Sequence, residues 1–97
     1  MLNPNDCQNM NDIREQIDAI DYEIISLISK RAGYVHKAAE FKTDETSVKA
    51  PDRVKKMLEK RKVWAEEKSI SPEFIEKMYS DMVGYFINKE MQKWKNK

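Results

Sequence analysis

From Asp12 to Lys42 the chain contains no proline, and apolar side chains recur at helical spacing throughout: Ile13, Ile17, Ile20, Ile24, Leu27, Ile28, Val35, Ala38 and Ala39. A period of 3.6 held over about 30 residues predicts one long helix. At ~1.5 Å per residue it spans ~45 Å. A compact domain of 97 residues has a radius of gyration of ~12.5 Å, hence a diameter of ~32 Å. Such a helix overshoots its own domain. Two arrangements relieve this. A second copy can pack along the helix in an intertwined homodimer, or Gly33 can break the helix and leave a plain three-helix bundle. Glycine costs about 1 kcal/mol within a helix but need not end one.

The remaining elements follow from local signals. Asn11 or Asp12 can cap the first helix, and Asp12 with Glu15 fits a capping box. Residues 43–49 (TDETSVK) are polar and β-branched and read as a loop. Pro51 suits the first turn of a second helix, which carries Val54, Met57, Leu58, Arg61, Trp64 and Ala65 and ends near Lys68. Ser71 followed by Pro72 is a strong helix start. The expectation is an all-α chain forming a single domain, with helices at about 12–42, 51–68 and 72–95 and no internal repeat.

Composition narrows the function classes. Charged residues make up 36% of the chain but nearly cancel, leaving a formal charge of +1. That argues against nucleic acid as a partner, which calls for a clear basic excess. No apolar run approaches the ~20 residues of a membrane span, and the N-terminus lacks the pattern of a secretory signal. Cys7 and His36 each stand alone of their kind, so neither a disulfide framework nor a transition-metal site is expected. Both read as bystanders. A cytoplasmic protein without a cofactor is the expectation.

Two charges contradict the burial pattern. Arg31 lies on the stripe Ile17, Ile20, Ile24, Ile28, Arg31, Val35, Ala38. Glu90 interrupts Met78, Met82, Phe86, Glu90, Trp94. A charge on a core stripe is costly unless an opposite charge meets it. For Glu90 the plain explanation is a buried ion pair with an arginine or lysine. The functional one is a carboxyl group kept protonated by burial, able to donate a hydrogen bond. Arg31 and Lys42, eleven residues apart, return to nearly the same helix face, and Lys42 stands where the helix meets the polar segment. Arg14 is ~25 Å from Arg31 along the axis and cannot easily serve the same site within one chain, though it can across an antiparallel dimer. Its plain reading is an i,i+4 pair with Asp18. Arg53 occupies the first turn of the second helix. Together these cations outline a pocket for an anionic ligand.

The runs NDIREQIDAIDYEII, SKRAGYVHKAAEFK and APDRV resemble the all-helical chorismate mutase family. The N-terminal NPNDC, the segment VWAEEKSISPEFIEKMY and the closing KEMQKW extend the likeness over almost the whole chain. The isochorismate-pyruvate lyase branch, which makes salicylate for siderophores, is the nearer likeness. The resemblance implies an intertwined dimer of three-helix chains with two equivalent, shared sites. It implies that Arg14 is supplied from the partner subunit. Arg31 and Lys42 then grip the substrate's carboxylates and ether oxygen, and Arg53 lines the pocket. Val35, Val54, Met57 and Phe86 complete the expected substrate-binding set, and Lys42, Arg31 and Glu90 are the expected catalytic residues. Most of the family, the lyase included, has glutamine where this chain has Glu90. A glutamate there must be protonated before it can donate to the ether oxygen, and some mutases in the family carry one. Mutases typically place a glutamate directly after the second-helix arginine, whereas this chain has Val54, as the lyase branch does.

The implied substrate is a small cyclohexadiene dicarboxylate, isochorismate or chorismate, held by positioning and charge without a nucleophile. The expected activity is pyruvate elimination from isochorismate to give salicylate, with a secondary mutase activity converting chorismate to prephenate. The alternatives are a chorismate mutase as the main activity and, in another class, a non-catalytic helical dimerisation module.

Overall fold

The computed structural model describes residues 1–95, apart from the side chain of Trp94. A short 3-10 turn at Pro4–Asp6 precedes four helices: α1 (Met10–Ala39), α2 (Glu45–Lys49), α3 (Pro51–Glu67) and α4 (Pro72–Lys95). Among the described residues there is no strand. The chain divides into two compact units, Met1–Tyr34 and Val35–Lys97, and the division falls within α1.

In the first unit α1 starts earlier than the expected cap. Asn9 Oδ1 accepts from the Asp12 backbone N–H at 2.8 Å, and Asp12 Oδ2 accepts from the Gln8 N–H at 3.0 Å. Asn9 thus takes the capping role and Asp12 reaches back over it, a reciprocal arrangement that satisfies donors a helix start leaves open. The Leu2 N–H donates to Gln16 Oε1 at 3.0 Å and ties the N-terminal segment to the helix. The helix runs through Gly33 without a positive φ. None of the residues of α1, all of them described, is buried. Ile17, Ile20, Ile24 and Leu27 are all exposed.

The second unit holds the core. It contains Val48, Ala65, Val83 and Met91, with Glu90 buried among them. α4 is its central element, packed on by both α3 and α2. Ser71 Oγ accepts from the Phe74 N–H at 3.2 Å, so the hydroxyl caps α4 directly ahead of Pro72. α3 carries an arginine on its apolar stripe. The Arg61 guanidinium lies 5.0 Å from the Trp64 ring centre and 5.4 Å from that of Tyr79. Cation–π attraction to both rings lets a charge occupy a half-buried position between α3 and α4.

The segment read as a loop contains α2. Asp44 caps it, its Oδ1 accepting from the Ser47 N–H at 2.7 Å. Val48, only 3% exposed, is its single buried side chain. The helix closes at Ala50, whose N–H donates to Thr46 O at 2.8 Å. Ala50 is left-handed, with φ 39° and ψ 57°. The same residue precedes Pro51 and starts α3, so one strained residue turns the chain from α2 into α3.

Candidate active site

Lys42 follows the end of α1 in a turn closed by the Phe41 N–H to Ala38 O and the Lys42 N–H to Ala39 O, at 3.0 and 3.2 Å. These bonds carry the chain out of the helix and leave Lys42 on the approach to α2. Because α2 packs on α4, the segment bearing Lys42 is held against the helix that bears Glu90. The Lys42 ammonium donates to Glu90 Oε2 at 2.8 Å. The Glu90 side chain is 8% exposed and that of Lys42 25%. Glu90 therefore meets its burial requirement by an ion pair, the plainer of its two sequence readings. The other half of the pair still reaches solvent, so an incoming anion can approach Lys42.

Other site residues fall into two clefts of the second unit. Arg53 and Met57 line a groove along α3 of about 540 Å³. Val54 lies in a different cleft of about 350 Å³, walled by Leu58 and Ile87 and rimmed by Lys49, Lys55, Glu59 and Glu76. Neighbours in sequence, Arg53 and Val54 thus serve different faces of α3. Phe86 is half-buried and meets Tyr85 edge to face, with ring centres 5.1 Å apart at 84°. Val35 is half-buried at the start of the unit. Leu58 and Ile87 were not singled out as site residues from the sequence. Their signal was present, since Ile87 lies one turn before Met91 on α4 and Leu58 one turn after Val54.

The remaining two cations belong to the first unit. Arg14 is exposed and Arg31 half-buried. His36 and Lys93 meet at the surface, with the ammonium 2.9 Å from Nε2. Between α3 and α4, Lys62 and Glu76 pair at 3.2 Å, and the Glu76 carboxylate raises the pKa of the Lys62 ammonium above its usual value. Among the described residues no group of three or more His, Cys, Asp or Glu side chains is placed to hold a metal ion. No helix of the described residues is long and apolar enough to cross a membrane.

A helical chain with a part-buried Lys–Glu pair between the turn after its first helix and its last helix is consistent with the family the sequence resembles, and comparison with known proteins decides the matter. The pattern of the type II chorismate mutases matches residues 13–91. The chain belongs to the type II chorismate mutase family. The isochorismate pyruvate lyase of Pseudomonas aeruginosa is 37% identical over 95 residues, covering 98% of this chain and 94% of that protein. The T-protein of Haemophilus influenzae is 35% identical over 68 residues, covering 69% of this chain but 18% of that larger protein. The 2.8 Å pair shows that the Lys42 and Glu90 side chains converge on one point.

Proposed function

We propose that this chain is an isochorismate-pyruvate lyase that converts isochorismate to salicylate and pyruvate, with a secondary chorismate mutase activity. The observation that carries the reading is the Lys42–Glu90 pair. It brings a cation and the carboxylate that orients it to one point of the helical core. The full-length likeness to a lyase and the apolar Val54 after Arg53 favour isochorismate over chorismate. A ring hydroxyl placed as in chorismate would find no acidic partner at Val54.

In this mechanism Arg31 and Arg14 clamp the two carboxylates with paired hydrogen bonds. Arg14 comes from a second copy of the chain, and Arg53 lines the pocket. Val35, Met57 and Phe86 give the ring its apolar walls. The enolpyruvyl arm is thereby folded over the ring. The ring carbon–oxygen bond breaks while a hydrogen moves from the ring to the methylene carbon of the arm. The ether oxygen becomes the ketone oxygen of pyruvate, the methylene becomes its methyl group, and the ring gains aromaticity. Negative charge gathers on the ether oxygen in passing, and Lys42 stabilises it. Glu90, paired with Lys42, sets the ammonium beside that oxygen. With chorismate, the same folded conformer breaks the ring carbon–oxygen bond as the methylene carbon bonds to the ring, and the ether oxygen becomes the ketone oxygen of prephenate.

The reading includes a homodimer and a single functional domain in the cytoplasm. Its support is the face of α1, where Ile17 is 50% and Leu27 63% exposed. An apolar stripe of that length is covered by a matching one, and a second copy of α1 supplies it. The test is incubation of the purified protein with isochorismate and, separately, chorismate. Salicylate fluorescence with equimolar pyruvate from isochorismate is expected. Turnover of chorismate alone makes the protein a mutase. Turnover of neither, with no dicarboxylate raising the melting temperature, makes it a non-catalytic helical module.

A further inference from the structure

The groove on α3 holds more positive charge than the proposed chemistry uses. Arg53, Lys56 and Lys60 follow one another at spacings of three and four residues, which puts them on one stripe of the helix. Met57 and Trp64 form its apolar and aromatic side, with the Arg61 guanidinium stacked over Trp64, and Asp52 is the single carboxylate among the lining residues. The chain as a whole carries a formal charge of only +1, so this concentration of charge belongs to one face and not to the molecule.

The local geometry keeps these charges available. Arg61 is drawn inward between the Trp64 and Tyr79 rings. The Lys60 ammonium lies 5.6 Å from the Trp64 ring centre, which gives its side chain a defined place on the groove wall. Lys56 and Lys60 are exposed. Among the described residues neither ammonium has a carboxylate within 4.0 Å. From Lys60 to Arg53 is ~10 Å along the helix axis. That is close to one screening length at moderate salt, so the three charges act on an approaching anion together.

We infer that Lys56 and Lys60 are substrate-guiding residues, which raise the local concentration of a dicarboxylate along α3 and pass it to Arg53. The identity of that dicarboxylate rests on the lyase reading; the electrostatic argument does not. A concave surface lined by one sign of charge accelerates capture of an oppositely charged ligand, and salt abolishes the effect. Neither lysine touches the reacting atoms.

The test compares the parent with the double variants Lys56→Gln/Lys60→Gln and Lys56→Arg/Lys60→Arg. Each is assayed with isochorismate at about 20 mM and about 500 mM ionic strength. The glutamine variant is expected to lose roughly three- to tenfold in kcat/KM at low salt, carried by KM, and to converge with the parent at high salt. The arginine variant keeps the parent's salt slope. Calorimetric titration with isophthalate, an unreactive ring dicarboxylate, reads the same effect as a Kd and does not depend on turnover. A salt-dependent weakening of isophthalate in the glutamine variant supports the inference even if isochorismate is not a substrate. A glutamine variant with the parent's salt slope in both measurements overturns it, as does a deficit that persists unchanged at high salt.

Discussion

Lys42 and Glu90, 48 positions apart, form an ion pair of 2.8 Å in which the carboxylate is almost wholly withdrawn from water and the ammonium is a quarter exposed. This asymmetry has consequences for stability and for activity. Removing the ammonium strands a buried carboxylate, whereas removing the carboxylate leaves an ammonium that can turn to solvent. Lys42→Ala is therefore expected to destabilise the fold by on the order of 2 kcal/mol, a fall in melting temperature of roughly 8–15 °C for a chain of this size. Adding Glu90→Gln to Lys42→Ala should recover most of that loss. A double variant that melts no higher than Lys42→Ala would show that the pair is not what holds Glu90.

Glu90→Gln alone tests the carboxyl's part in the chemistry. A glutamine at this position can donate a hydrogen bond, whereas the ion-paired carboxylate only accepts one. The neutral side chain also ceases to compete with the substrate for Lys42, so KM should drop several-fold. A Gln variant with the parent's KM would show that Glu90 does not compete with the substrate for Lys42.

Much of this architecture is legible in the sequence because α1, α3 and α4 carry a 3.6-residue apolar period along their length. α2 is not legible that way. It offers one apolar residue, Val48, among polar and β-branched neighbours, too few for a period to show. Its signal was chemical: an aspartate three residues ahead of a serine, whose N–H it captures. The first cap was displaced because Asn9, Asn11 and Asp12 are all competent, and only the structure shows which side chain meets an open N–H. Glu90 announced a buried partner by interrupting its stripe. Which cation it meets depends on how α2 holds the Lys42 segment to α4, a tertiary relationship that no spacing encodes. Arg61 was equally visible on its stripe, but its two aromatic partners lie on different helices.

Asp44 gives a pH dependence with a defined sign. The Ser47 backbone N–H, followed by the Ser47 side chain, holds its carboxyl below the usual value of 3.8. A carboxyl lowered by folding contributes to stability above the unfolded value and loses that contribution as pH falls through the lowered one. α2 should therefore loosen selectively in acid, and Asp44→Ala should loosen it at neutral pH. Hydrogen exchange at the Ser47 and Ala50 amides measures both, with faster exchange expected in each case. Unchanged rates in Asp44→Ala would show that Val48 packing alone holds the helix.

Two backbone positions predict opposite substitutions. Gly33 sits within α1, and a Cβ there meets nothing within 4 Å. Gly33→Ala should stabilise by about 0.5–1 kcal/mol, or about 3–6 °C. A lower melting temperature instead would reveal a close approach by a second copy at that point. Ala50, with φ 39°, lies in the region that favours glycine, and Ala50→Gly should stabilise by about 1 kcal/mol. Thermal denaturation of the two single variants checks both.

The account turns on Lys42 as the cation at the breaking carbon–oxygen bond, and the steady-state kinetics of Lys42→Ala with isochorismate, taken well below its melting temperature, test this most directly. Charge that matters at the transition state raises kcat more than it tightens ground-state binding. The variant is expected to lose a factor on the order of 10²–10³ in kcat with a much smaller change in KM. A kcat equal to that of the parent would contradict the account.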